Sequence, residues 1–148
     1  MTTNSDIILR PAMSFAFLKT FPLILLSLIF LLLAWKLSSY FLFLSLGILG
    51  AACYRLLYIR SNSYRICAEV LKVSRGVFFK RKDQLAMYRI KDYIVTQSFI
   101  LQLCRLMDVT LKSTDPENPV ITMKGIPESD IIDKIRENVQ ESRKHNNF

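Results

Sequence analysis

A single histidine, three cysteines and four glycines among 148 residues exclude several kinds of chemistry before any pattern is sought. The histidine, His145, lies in a polar tail, with no grouping of acids or nucleophiles that a general base would serve. Cys53, Cys67 and Cys104 form no CxxC pair and no zinc-site spacing. Their contexts in a reducing compartment predict small core residues. No P-loop, GxGxxG, GxSxG or HExxH run occurs. Asp83 and Asp92 stand apart, each with basic neighbours, and read as solvated or paired surface acids. The sequence therefore predicts no catalytic residue, no metal and no cofactor, and hence a protein that is not an enzyme.

Charge is also missing over two long stretches. Residues 20–35 carry none, residues 37–54 carry none, and Lys36 alone separates them. A bilayer-spanning helix needs roughly 20 mostly apolar residues. Both stretches reach that length if Lys19, Lys36 and Arg55 extend their charges to the interface. About 90 residues remain for a soluble unit, enough for one modest core but too few to cover two helices that are apolar all round. A buried hairpin in a soluble protein is thereby disfavoured. A cleaved signal is disfavoured too, because the first stretch ends Leu33-Ala34-Trp35-Lys36 without a small-x-small site.

Orientation follows from the flanking charge. Arg10 and Lys19 precede the first helix, Arg55, Arg60 and Arg65 follow the second, and the connecting turn holds one lysine. Basic flanks stay in the cytoplasm. Both termini and the soluble domain are therefore expected on the cytoplasmic side of a bacterial inner membrane that the chain crosses twice. Trp35, Tyr40, Tyr54 and Tyr58 stand near the expected boundaries, as interfacial aromatics do. Gly47 and Ala51, four apart on the second helix, allow close helix approach. They serve either self-association or packing against the first helix. The expected organisation is an N-terminal segment 1–14, a two-helix transmembrane hairpin 15–58 and a domain 59–148.

Past the hairpin the period changes. Residues 64–67 and 70–74 form short alternating runs, Arg75-Gly76 signals a turn, and residues 77–79 lead into Lys80, Arg81 and Lys82. Residues 90–97 and 107–112 alternate again. A polar turn at 113–119 precedes a last strand at 120–123, closed by Lys124-Gly125. Period-2 runs between turn clusters indicate an antiparallel β unit. Pro127 then suits a first helical turn, Glu128 and Asp130 suit the positive end of a helix, and Ile131, Ile132, Ile135 and Val139 make one apolar stripe. His145 to Phe148 should fray.

That order resembles the bacterial pleckstrin-homology (PH) domain proteins, in particular their second, membrane-anchored, two-helix subfamily. The resemblance is carried by Val73-Ser74-Arg75-Gly76-Val77-Phe78 as a first hairpin and by the run from Tyr88 through Arg89-Ile90-Lys91-Asp92 to Gln97-Ser98 as the signature strand. The apolar Phe99-Ile100-Leu101-Gln102-Leu103 and the strand with its turn from Asp108 to Asp115 complete it. It departs from the family at Ala86-Met87, where a proline is usual, and at Arg105-Leu106-Met107, where glycines are usual. The fold implied is a membrane α-helical hairpin followed by an all-β PH-like barrel or sandwich, its two antiparallel sheets closed at one end by the C-terminal helix.

Ten Lys or Arg stand against Glu69 and Asp83 between residues 55 and 91, the half that adjoins the hairpin. Basic groups near an anionic leaflet contribute about 1 kcal/mol each. Arg60, Lys72, Lys80, Arg81 and Lys82 are the candidate contacts to membrane or anionic headgroup. No aromatic stands between the members of the Lys80-Arg81-Lys82 triplet as a stacking platform, and nucleic acid is not an expected partner. The expected function is a membrane-anchored, non-catalytic interaction or scaffolding module. Its partners would be the lipid bilayer, further copies of itself and an unidentified protein. The alternative is a ligand-sensing effector that disrupts the membrane, with Lys80, Arg81, Lys82 and Arg89 holding an anionic, nucleotide-like molecule.

Overall fold

The computed structural model describes residues 6–146. In chain order the elements are β1 (Ile7–Leu9), α1 (Met13–Lys36), α2 (Tyr40–Ser61), β2 (Ser63–Ile66), β3 (Val70–Arg75) and β4 (Arg81–Ala86). After a 3-10 turn (Met87–Arg89) come β5 (Ile90–Thr96), α3 (Phe99–Leu103), β6 (Leu106–Ser113), β7 (Val120–Pro127) and α4 (Ile131–Asn146).

The two helices are the uncharged stretches. Each is long and apolar enough to cross a membrane, and only 17% of the most apolar window of either is buried in the protein. They are therefore not the core of the domain that follows. Small and hydroxyl side chains bring them together. Ala16, Thr20 and Ser27 of α1 face Ser45 and Ala52 of α2, all buried. The Ser45 hydroxyl donates to the Ser27 carbonyl at 2.9 Å, and Phe30 stacks on Phe41 with centroids 6.2 Å apart.

The β unit is two antiparallel sheets, ordered β1-β2-β3-β4 and β5-β6-β7. The inward residues of both sheets, among them Ile66, Leu71, Leu85, Val109, Leu111 and Met123, meet Ile131, Ile135 and Val139 of α4 in one core. The helix is also pinned by polar contacts. Arg143 donates to the Ile90 carbonyl at 2.7 Å, and the Ser142 hydroxyl donates to the Ala68 carbonyl. Arg136 donates to the Tyr93 hydroxyl at 2.7 Å and lies over its ring.

Several expected boundaries move. Strand β1 falls inside the stretch expected as an N-terminal segment, whose residues 1–5 lie outside the described residues. It pairs with β2 (Ile7 opposite Ile66, Leu9 opposite Tyr64), so α1 and α2 together form the connection between two neighbouring strands. Residues 77–80 are turn rather than strand, because Gly76 reverses the chain at φ 106°. β4 starts at Arg81 and continues through Asp83 and Gln84, polar residues suited to the sheet's edge. Lys124-Gly125 does not close β7. The register slips by one residue there, Gly125 takes φ 67°, and the strand runs on to Pro127. A bulge of this kind bends a strand without ending it. Pro127 consequently ends a strand, and α4 begins at Ile131. The helix includes His145 and Asn146, and Asn147 and Phe148 lie outside the described residues.

The family departures are absorbed locally. Ala86 already sits at φ −68°, the value a proline would impose. Arg105 takes φ 54°, a conformation that glycine adopts more readily. The cysteines do not serve the core: Cys53 and Cys104 are exposed and Cys67 is only partly covered.

Candidate membrane interface

The domain grips the ends of α1 and α2 from three sides. On the first, Ala12 N–H donates to the Gly125 carbonyl at 2.9 Å, and the Phe15 ring covers Gly125, which has no side chain to obstruct it. Gly125 N–H is itself held by the Asp108 carboxylate at 2.8 Å. On the second, Phe15 packs with Leu101 and Leu106 against Ile59. Short helix α3 thus buries Leu101 while leaving Phe99 and Leu103 about four-fifths exposed (82% and 79%). On the third, the Ser61 hydroxyl donates to the Gly76 carbonyl at 2.6 Å. The turn beyond Gly76 then runs back along α2 far enough for Phe78 to stack on Tyr54, centroids 6.4 Å apart. Tyr54 lies about two helical turns before the end of α2. Phe78 and Phe79 are 79% and 94% exposed. Apolar rings therefore stand out around the same end of the hairpin, at α3 and at the β3–β4 turn.

The candidate basic residues scatter over this region. Lys80 is in the turn, while Arg81 and Lys82 open β4. Arg81 pairs with Asp83 at 2.9 Å, and Lys82 lies opposite Ser74. Lys72 stands mid-strand on β3 between Arg65 and Gln84, on the outer face of the sheet. Arg60 is exposed at the end of α2. Arg89 pairs with Asp115 at 3.2 Å, and its guanidinium pKa is raised first by the Tyr88 hydroxyl beside it and then by the Asp115 carboxylate. The Asp92 carboxylate caps Tyr93 N–H at 2.9 Å. Gly47 and Ala51 are exposed, and nothing lies within 4 Å of where a Gly47 side chain would begin. They do not mediate packing of α2 on α1, which uses Ser45 and Ala52 instead.

A different set of cations converges. Between the hairpin and the sandwich lies a cavity of about 470 Å³, open on one side. Lys19 of α1, Arg55 of α2, Arg75 of β3 and Lys124 of β7 line it. Tyr58, Asn62 and Tyr64 add polar atoms. Burial pushes the Tyr64 hydroxyl's pKa up, against a smaller lowering by Arg75. The Asn62 Oδ1 is buried without a hydrogen-bond partner. These cations come from four separated segments, so no run in the sequence announces them. The available signals were weaker: two charges at the ends of uncharged stretches, one at a turn and one at a bulge.

Two helices of spanning length, joined to a two-sheet sandwich that is closed by a C-terminal helix, define a PH-like domain carried on a helical hairpin. The family profile described as the bacterial PH domain matches residues 13–143, so the chain belongs to the bacterial PH domain family. Comparison with curated proteins and with solved structures gives no match. Family membership supports an interaction module, and domains of this fold are generally non-catalytic.

Proposed function

We propose that the protein is a membrane-anchored interaction module. In this reading α1 and α2 cross the bacterial inner membrane, the turn at residues 37–39 faces outward, and the PH-like domain is held against the cytoplasmic leaflet. The observation that carries the reading is the Phe78–Tyr54 stack. It sets a turn bearing two exposed phenylalanines, followed by Lys80, Arg81 and Lys82, alongside α2 at the point where its uncharged stretch ends at Arg55. Aromatic rings at headgroup depth with basic residues behind them are the chemistry of an interfacial contact. The exposed Phe99 ring and Leu103 of α3 support the same placement.

Self-association through the hairpin is part of the proposal. Gly47 and Ala51 are free of the intramolecular contact and leave a shallow strip on the outer surface of α2. A second copy of α2 could approach closely there. The ligand-sensing alternative draws less support, because Arg81 and Arg89 are already engaged by Asp83 and Asp115. Disulfide cross-linking in membranes tests the assembly, with cysteine introduced at Ala51 in a chain whose natural cysteines are replaced. Dimer formation at position 51, and none from a control cysteine at Leu56, supports it. Equal cross-linking at both positions would count against a defined interface.

A further inference from the structure

We infer that the cavity between the helical hairpin and the sandwich binds a phosphate group, that of an anionic phospholipid headgroup at the cytoplasmic leaflet. This rests on the proposed membrane placement of the hairpin.

The charge arrangement asks for an anion. Lys19, Arg55, Arg75 and Lys124 line one space, and no acidic side chain lines it with them. Among the described residues none of the four makes an ion pair. Arg75 has one long contact, 3.5 Å to the Thr122 carbonyl. Arg75 is half-buried, while Lys19, Arg55 and Lys124 are exposed around it, and like charges gathered around one space repel one another. A phosphate relieves that repulsion and accepts hydrogen bonds from guanidinium and ammonium alike, arginine offering paired donors.

The neutral groups extend the match. Asn62 Oδ1 is a buried acceptor with no donor. A headgroup that carries hydroxyls beside its phosphate, such as a glycerol, supplies one. A volume of about 470 Å³ leaves space for such a group beyond the phosphate itself. Phe15, Ile59 and Val120 form an apolar part of the wall, suited to carbon rather than to a second charge.

Position selects a lipid over a free anion. Lys19 immediately precedes the uncharged stretch of α1, and Arg55 immediately follows that of α2. Two of the four cations therefore sit where the spanning segments would meet the headgroups. Arg75 and Lys124 reach the same space from the sandwich. A headgroup held there would touch both parts of the molecule and fix the angle between domain and membrane.

Native mass spectrometry of the full chain in detergent tests this, with phosphatidylglycerol or phosphatidylcholine added. One phosphatidylglycerol should be retained per chain in preference to phosphatidylcholine. The R75Q/K124Q variant should lose affinity by about tenfold or more, since losing even one of its two charge-assisted hydrogen bonds is expected to cost that much. K80Q/K82Q, in the exposed turn, should retain it. Phosphatidylglycerol should also raise the melting temperature of the unaltered protein and of K80Q/K82Q, but not that of R75Q/K124Q. Circular dichroism establishes that each variant is folded, and R75Q alone serves if the double variant is not. Equal retention of the two lipids, or equal loss from both variant pairs, overturns the cavity as a site. Full displacement of the lipid by inorganic phosphate overturns the lipid assignment. Carbonate extraction of membranes separates this from the broader reading. A chain that resists extraction yet shows no lipid preference overturns the cavity alone, and a chain that is extracted overturns the anchoring as well.

Discussion

Phe15 and Gly125 claim the same volume: the ring of the first fills the place where a side chain on the second would stand. The contact joins the first turn of α1 to the bulge of β7, and so the hairpin to the domain. It needs glycine twice over, for space and for the positive φ of 67°. G125A should therefore destabilise the full chain in detergent by about 1–3 kcal/mol, the range for a side chain forced into this backbone region. Thermal unfolding followed by circular dichroism measures it. An unchanged midpoint would mean that Phe15 does not rest there.

Ile135 is 1% exposed, at the centre of the face that α4 turns to the core. I135A should cost about 2–5 kcal/mol, and I135D should leave a buried unpaired charge and prevent folding. The measurement belongs on the full chain, because a fragment beginning at residue 60 would lack β1 and leave the upper edge of β2 unpaired. A stable I135D protein would show that the helix does not seal the sandwich.

Topology is testable with single cysteines in a chain whose Cys53, Cys67 and Cys104 are replaced. A cysteine at Ser39 should react with an impermeant thiol reagent in whole cells, and one at Asn146 should react only after lysis. The reverse pattern would invert the proposed orientation.

The turn after Gly76 should reach the lipid interface. With Trp35 replaced by phenylalanine, F79W places the sole tryptophan on the turn. Its fluorescence in reconstituted vesicles should be quenched by lipids brominated near the headgroup end of the chain, and less by those brominated near the methyl end. Quenching by aqueous iodide equal to that of a lipid-free control would place the turn in water.

Arg105 holds a left-handed conformation at φ 54° without being glycine. R105G should therefore raise stability, by up to about 1 kcal/mol once the greater freedom of glycine in the unfolded chain is counted. A lower melting midpoint would mean that the side chain contributes more than its backbone costs.

The sequence was most readable where one repeating rule governs a whole element. Met107, Val109 and Leu111 alternate on β6, and Ile131, Ile135 and Val139 recur on α4, because each lines a single core. It was least readable where the determining partner is remote. Ile7, Ile8 and Leu9 have no period of their own and become a strand only because β2 returns beside them after the hairpin. Gly125 reads as a terminator, yet it continues its strand because Asp108 and Phe15 hold the bulge. The compact triplet Lys80, Arg81 and Lys82 drew attention by being contiguous. Lys19, Arg55, Arg75 and Lys124 share one cavity and could not be associated before the chain was folded.

Placing α1 and α2 between two paired strands has a mechanical consequence. The feet of the helices are clipped together by the short ladder that sets Ile7 against Ile66 and Leu9 against Tyr64. Sliding one helix along the other, or prising those feet apart, loads that ladder together with the Ala12–Gly125 hydrogen bond. The ladder has only three residues on the β1 side, but Leu9, Tyr64 and Ile66 also belong to the main core, so force on the helices is passed directly into the sandwich.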